Sequence, residues 1–417
     1  MIPVVHVIGA GLSGLSAAVQ LANAGRKVFV HEAANHAGGR CRSYFDQTLN
    51  HRIDNGNHLV LSGNRAVAEY LEIIGATDSL WSPDQAEFPF IDLQSGESWV
   101  VRPDQGKVPW SLFRASGRVP GCSLAEYLRG VNLAFADAAQ TVRDCLDHCG
   151  PLYRRFWEPL AVSVLNTHPD EGSAQLLWPV LRETFGRGER ACRGLMAKEG
   201  LSESFVEPAC VFLRDKGGTI TLGARLKAIG TDGDRATVLN FSEQQIHMGD
   251  ADRIVLAVPP SMARELVPDI QAPDEFRAIV NVHFRLPAAP TSRVSFIGMV
   301  GGIGHWLFVR DDIASVTVSA AEHILDLSAG ELAEKLWPEV VLALGLDEQA
   351  PCAFRVIKEK RATFAQTPEQ VKKRPGSKTS VTNLFVAGDW TDTGLPATIE
   401  GSLLSGKTAA KGVLESL

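Results

Sequence analysis

Apolar positions follow two different spacings along this chain. Val4–Ile8 is a short, mostly apolar run, suited to a buried strand. Leu12, Leu15, Ala18, Val19 and Ala22 then recur at helical spacing until Gly25, and Lys27–His31 reads as a second strand closing at Glu32. Together they predict a βαβ unit. Residues from about 70 to 200 read as mostly helical, with Pro/Gly breaks over 103–121 and at Pro151, Pro159 and Pro179. From 203 the α/β pattern returns: a helix over 203–215, a strand over 219–222, another over 224–229, and two more around Asp232-Gly233-Asp234. A buried strand over 253–258 is stopped by Pro259-Pro260. Strand-like runs at 278–286, 293–300, 305–310, 314–319 and 354–360, with one helix over 329–343, predict a second, antiparallel sheet. A helix over 401–414 closes the chain.

The expected fold is therefore α/β. A Rossmann-like dinucleotide-binding domain gathers residues 1–70, 203–275 and 380–417, and an α+β substrate domain, 71–202 and 276–379, is interleaved with it.

Length, at 417 residues, allows two or three domains. A net charge of −7 gives no reason to expect nucleic acid as a partner. The seven cysteines form no C-x-x-C pair and no zinc-like spacing, so they read as reduced thiols of a cytoplasmic protein without a metal. Cys145 and Cys149 are spaced to share a helix face. The apolar N-terminus lacks the charged n-region of a signal peptide, and no apolar run reaches the roughly 18 residues that span a bilayer. The expectation is a soluble protein or one attached to one membrane face. Residues 101–200 hold 13 Lys/Arg against 11 Asp/Glu, net +2, while the rest carries −9.

The chemistry lies in a split signature. Val5-His6-Val7-Ile8-Gly9-Ala10-Gly11-Leu12-Ser13-Gly14 is a strand, a G-x-G-x-x-G turn and a helix start. Gly9 allows the tight turn, Gly11 lets backbone approach a pyrophosphate, and Gly14 permits close helix–strand packing. The helix N-terminus favours the phosphates, and Glu32 sits where an acid holds ribose hydroxyls. Gly38-Gly39-Arg40 adds a second glycine turn and a fixed cation near the pyrophosphate. The other half is Leu384-Phe385-Val386-Ala387-Gly388-Asp389, an apolar strand ending in Gly-Asp. A dinucleotide gripped at both ends of the chain points to FAD, with Asp389 accepting from a ribityl hydroxyl and the helix starting near Gly401 aiming its positive end at the flavin ring.

These blocks resemble the amine-oxidase/phytoene-desaturase superfamily of FAD enzymes and, within it, the hydroxysqualene dehydroxylases of bacterial hopanoid synthesis. The likeness rests on Ile53-Asp54-Asn55-Gly56-Asn57-His58-Leu59, Phe156-Trp157-Glu158-Pro159-Leu160, Leu165-Asn166-Thr167, Ile279-Val280-Asn281-Val282-His283, and Gly388-Asp389-Trp390-Thr391-Asp392-Thr393-Gly394-Leu395-Pro396-Ala397-Thr398-Ile399-Glu400-Gly401. Asn57 stands where the branch usually has Gln, and its proline near Met196-Ala197 is missing here. The resemblance implies the amine oxidase/glutathione reductase type of FAD domain and reduction of hydroxysqualene to squalene, hydride coming from reduced FAD as water leaves. Implied cofactor contacts are Gly9, Gly11, Leu12, Ser13, Gly14, Glu32, Ala33, Gly39, Arg40, Gly56, Asn57, His58, Leu226, Gly388, Asp389, Thr398, Ile399 and Gly401.

Hydroxide is a poor leaving group, so a general acid is expected near the flavin, in a dry apolar tunnel. His58 is the first candidate. Asp54 is the second, with turn capping as its structural alternative. His283 is a candidate substrate contact or a satisfied core histidine; Asn166 could bond a substrate hydroxyl or cap a helix. A lipid-soluble substrate further implies peripheral docking on the inner membrane face, at Trp110–Arg118 or the arginine run 182–193. No second nucleotide fingerprint identifies the electron donor.

Other readings stay open. Amine oxidases typically carry a lysine near the flavin and an aromatic residue before the last Glu-Gly pair. Here no lysine lies between Lys227 and Lys335, and Thr398 holds the aromatic position. A carotenoid or phytoene desaturase would run hydride transfer the other way. A lipid-escort protein of the Rab GDP-dissociation-inhibitor type would share the fold without flavin.

Overall fold

A computed structural model describes residues 3–146, 149–290, 296–347 and 350–417. Val4–Ile8 lies at the centre of a five-stranded, wholly parallel sheet. The order is Thr219–Thr221, Lys27–His31, Val4–Ile8, Arg253–Leu256, Leu384–Val386. Strand order thus reverses between Val4–Ile8 and Arg253–Leu256, and such a switch opens a crevice beyond the strands' carboxyl ends. Val5, Val7, Val255 and Phe385 are buried there, as expected of a parallel sheet covered on both faces. The first and last helices, Leu12–Asn23 and Ile399–Glu415, pack on it together, close enough for Ser16 Oγ to donate to Leu403 O at 2.7 Å.

The second sheet has seven strands, in the order Ala353–Phe364, Phe276–Arg285, Ile313–Ser319, Trp306–Arg310, Phe296–Val300, Phe88–Asp92, Ser98–Val101. It is antiparallel except where Phe296–Val300 runs parallel to Phe88–Asp92. Period-two alternation gives it two faces. Val280, Val282 and Phe284 pack under helix Ala329–Leu344, whereas Ile279, Asn281 and His283 point the other way. Of the expected strand 293–300, residues 293–295 lie outside the described residues.

Three expectations need correction. Residues 70–200 are not mostly helical. They supply two strands of the large sheet and Gly194–Ala197, which bridges Val60–Leu61 and Leu80–Trp81. The two sheet strands are five and four residues long, and they enter the large sheet only where Phe88–Asp92 pairs with the distant Phe296–Val300, so local pattern does not reveal their place in it. The separate strand over 224–229 is instead the start of Leu226–Asp232, paired with Arg235–Phe241. Cys149 does not share a helix face with Cys145, whose helix, Val142–Cys145, is a single turn.

Two helices begin with a wide π turn, Tyr153–Trp157 and Ser202–Val206, each running straight into Glu-Pro. Pro159 and Pro208 have no N–H and would strike the carbonyl four residues back, which the wider turn relieves.

Candidate active site

The crevice at the switch point opens into one cavity of about 1650 Å³. That exceeds the usual few hundred to about 1,000 Å³ of a small-ligand pocket, leaving room for a dinucleotide and a second large molecule.

At its cradle end two glycine turns meet. Gly9 has φ +103°, and a Cβ there would come within 2.3 Å of Ala257 O. Gly38 N–H donates to Ala10 O at 2.7 Å, and Gly11 lies alongside Gly38. A Cβ on Gly11 would meet nothing, so its backbone faces open space where a phosphate fits. Glu32 accepts from Ala10 N (2.7 Å) and Ala34 N (2.8 Å) and still faces the cavity, with lone pairs left for sugar hydroxyls. Leu12, Ser13, Ala33, Gly39 and Leu226 complete this wall. Gly14 does not face it. Its Cα abuts Gly9 O, where a Cβ would sit 1.9 Å away, so Gly14 serves helix–strand packing. Such a cradle fits FAD's pyrophosphate and adenosine half.

The C-terminal half of the signature closes on the same cavity. Gly388, Asp389, Thr398 and Ile399 line it. Thr398 caps the last helix by accepting from Gly401 N at 3.1 Å, so the positive helix end is turned into the cavity. Gly401 itself packs against Pro396 O and lies behind the wall. Arg40 Nη2 donates to Asp389 Oδ2 at 2.8 Å, and Asp389 raises the arginine's pKa further.

Gly56, Asn57 and His58 form the floor where the cradle meets an apolar chamber lined by Phe88, Phe90, Phe156, Leu160, Phe185, Trp306, Phe308 and Phe364. Asn57 Nδ2 donates to Thr317 Oγ1 (3.0 Å), which donates to Asn281 Oδ1 (2.8 Å). Asn281 also sits under Gly56, where a Cβ would approach its Nδ2 to 3.2 Å. His58 presents its ring to the open cavity, and among the described residues none hydrogen-bonds it. Desolvation by the surrounding protein lowers its pKa, Asp54 opposing and Arg40 adding to the shift.

The other candidates are placed differently. Asp54 does not line the large cavity. Its carboxylate accepts from Ser43 Oγ (2.5 Å), Leu201 N (2.9 Å) and Arg310 Nη1 (3.0 Å), which holds it as a structural anion. His283 does not reach the large cavity either: it is buried, Nδ1 bonded to Ser315 Oγ at 2.7 Å, and burial pushes its pKa down to about 4. Asn166 lines the chamber, yet its amide donates to Thr363 Oγ1 (3.0 Å) and accepts from Ala320 N (2.7 Å). It ends helix Glu158–Leu165 at φ 46°, capping the helix and bracing the chamber wall. Asn281 and Thr317 were not singled out from sequence. Counting back by two from His283 along its strand would have found Asn281; Thr317 carried no signal.

The profile of the family described as flavin containing amine oxidoreductase matches residues 12–414. The chain is 46% identical over 411 residues to hydroxysqualene dehydroxylase of Rhodopseudomonas palustris, covering 98% of each chain. It is 45% identical over 406 residues to that of Sinorhizobium fredii, covering 97% of each. The solved structure of cyclohexylamine oxidase from Brevibacterium oxydans superposes with a TM-score of 0.69 at 18% identity over 99% of each chain.

Proposed function

This chain belongs to the flavin-containing amine oxidoreductase family, in its hydroxysqualene dehydroxylase branch, and we propose that it reduces hydroxysqualene to squalene with loss of water, in squalene and hopanoid biosynthesis. One observation carries the reading: a dinucleotide cradle opens directly into an aromatic-lined chamber, with His58 where the two meet. Thr398 stands in the cavity wall at the position where amine oxidases typically carry an aromatic residue.

Bound FAD, once reduced, supplies the hydride. The overall change is an allylic C–O bond broken and a C–H bond formed, with one hydride and one proton consumed and one water released. The chamber's apolar walls keep bulk water from the allylic cation. His58 donates the proton to the departing hydroxyl. Asn57, Thr317 and Asn281 hold the loop that aims it. Residues 1–70, 203–275 and 380–417 hold the cofactor, and 71–202 and 276–379 hold the substrate. Reducing equivalents come from a separate electron donor.

Among the described residues no helix is long and apolar enough to cross a membrane. The protein docks peripherally on the inner membrane face through the segment 107–135. There Trp110 is 68% exposed, Phe113 58% and Phe135 81%, with Arg114 and Arg118 beside them in sequence. The run 182–193 suits this role less, because Arg187 and Arg193 are paired with Glu183 and Glu189.

The test is anaerobic. Dithionite-reduced protein is mixed with hydroxysqualene, flavin reoxidation is followed, and squalene is measured. No squalene from reduced enzyme, with desaturation of a polyene by oxidised enzyme, would replace this reading with a desaturase.

A further inference from the structure

Behind His58 lies a second, smaller cavity of about 30 Å³. Asn57, His58 and Phe308 line both cavities and so form the partition between them. The rear side is polar: Asp54, Arg310, Ser315 and His283 share it with Ile53, Met196, Ala197 and other apolar groups. His283 is 1% exposed, and its Nε2 is buried without a hydrogen-bond partner. Its Nδ1 is taken by Ser315, so Nε2 is the polar atom it has left to offer the cavity. A buried polar nitrogen without a partner is costly, and a cavity above about 10–15 Å³ can hold a water when polar partners are present. Volume, polarity and the orphaned nitrogen all call for one.

We propose that this rear cavity holds an ordered water bridging His283 Nε2 to the ring of His58, which makes His283 a positioning residue for the acid. The inference rests on the reading of His58 as proton donor. The water fixes the tautomer that turns an N–H toward the substrate chamber. Asp54, locked to Arg310, orients the water without leaving its own ion pair. His283 thus acts on the reaction from outside the substrate chamber.

Three variants of the flavin-loaded enzyme test this. His283→Phe removes the nitrogen, His283→Gln keeps a polar end, and Ala197→Val fills the cavity while leaving both histidines in place. Flavin content and thermal midpoint control for folding. His283→Phe and Ala197→Val should keep their flavin yet slow its reoxidation by hydroxysqualene about tenfold, short of the loss of the acid itself. His283→Gln should recover most of the rate. Slowing in His283→Phe alone would assign the effect to packing and overturn the role of the water, as would wild-type rates in both. A high-resolution crystal structure gives a readout independent of turnover: water bonded to His283 and His58 supports the site, and a dry cavity ends the idea. If that water is present but wild-type enzyme leaves hydroxysqualene untouched, the proposed reaction fails and the site stands.

Discussion

Arg40 Nη2 and Asp389 Oδ2 stand 2.8 Å apart, although 349 residues separate them in the chain. Each belongs to a different half of the cofactor signature, so their ion pair closes the cradle. Asp389→Ala should lower FAD affinity by one to two orders of magnitude. It removes a buried acceptor of charge-assisted hydrogen bonds, about 1.5–3 kcal/mol, and leaves Arg40 unpaired. Asp389→Asn should lose less. Flavin-to-protein absorbance ratios after dialysis decide it; full occupancy in Asp389→Ala would misplace the site.

Glu32→Ala should also lower flavin content, by a second route. The carboxylate holds Ala10 N and Ala34 N, so its loss loosens the glycine turn as well as any grip on the ribose. The expected readout is weaker flavin retention together with a lower thermal midpoint of the apoprotein. An unchanged midpoint would argue that the two backbone bonds carry no weight.

Gly9→Ala should fail more severely. The backbone sits at φ +103°, and the new methyl would lie 2.3 Å from Ala257 O. Strain alone costs on the order of 1–3 kcal/mol, and the displaced strand end would open the cradle. Little soluble flavoprotein is expected, as judged by yield and flavin absorbance.

His58→Ala should bind FAD normally and turn over about 100-fold more slowly or worse, the usual scale for losing a general acid. Burial lowers the pKa of this histidine below its ordinary 6.5. If the protonated ring is the donor, the single-turnover rate should keep rising as pH falls below 6.5 instead of levelling there. A flat profile together with a fast His58→Ala variant would move the acid elsewhere.

Stability should fall on mild acidification. His31 and His283 are both buried and held neutral, burial being the main cause, with pKa values pushed down to about 4 from 6.5. The unfolded chain therefore binds more protons between those values. Stability conferred by the neutral rings is complete above pH 6.5 and is lost as pH falls toward 4. Each contributes on the order of 2–3 kcal/mol across that window. Urea midpoints at pH 7 and pH 5 should differ, and the difference should shrink in His283→Gln.

Membrane docking predicts that Trp110→Ala with Phe113→Ala lowers flotation with anionic liposomes without changing flavin content. Equal flotation of the double variant would send the search to Phe135 and its neighbours.

Hydrophobic spacing and the glycine turns were enough to specify the parallel sheet and the two signature halves, from Gly9 to Glu32 and at Gly388-Asp389, and the family resemblance added Thr398 and Ile399. Those features are local: a strand, a turn and a helix start carry their reasons within about ten residues. What lay beyond the sequence was everything set by non-local pairing. Phe88–Asp92 joins the large sheet only through the distant Phe296–Val300, and Ser98–Val101 reaches that sheet only by pairing back on Phe88–Asp92. The family resemblance ranked His58 ahead of Asp54 as the acid, but residue type alone gave no reason for the order. Asp54 and His58 are four residues apart, yet folding turns one toward Arg310 and leaves the other facing the cavity. Asn166 and His283 looked equally able to touch substrate, until tertiary contacts engaged Asn166's amide on both sides and put His283 behind the partition. Sequence determined which groups could hold a flavin, because that grip is made by backbone in short turns. Tertiary structure decided which side chains face the substrate, because that depends on which polar partners reach them first.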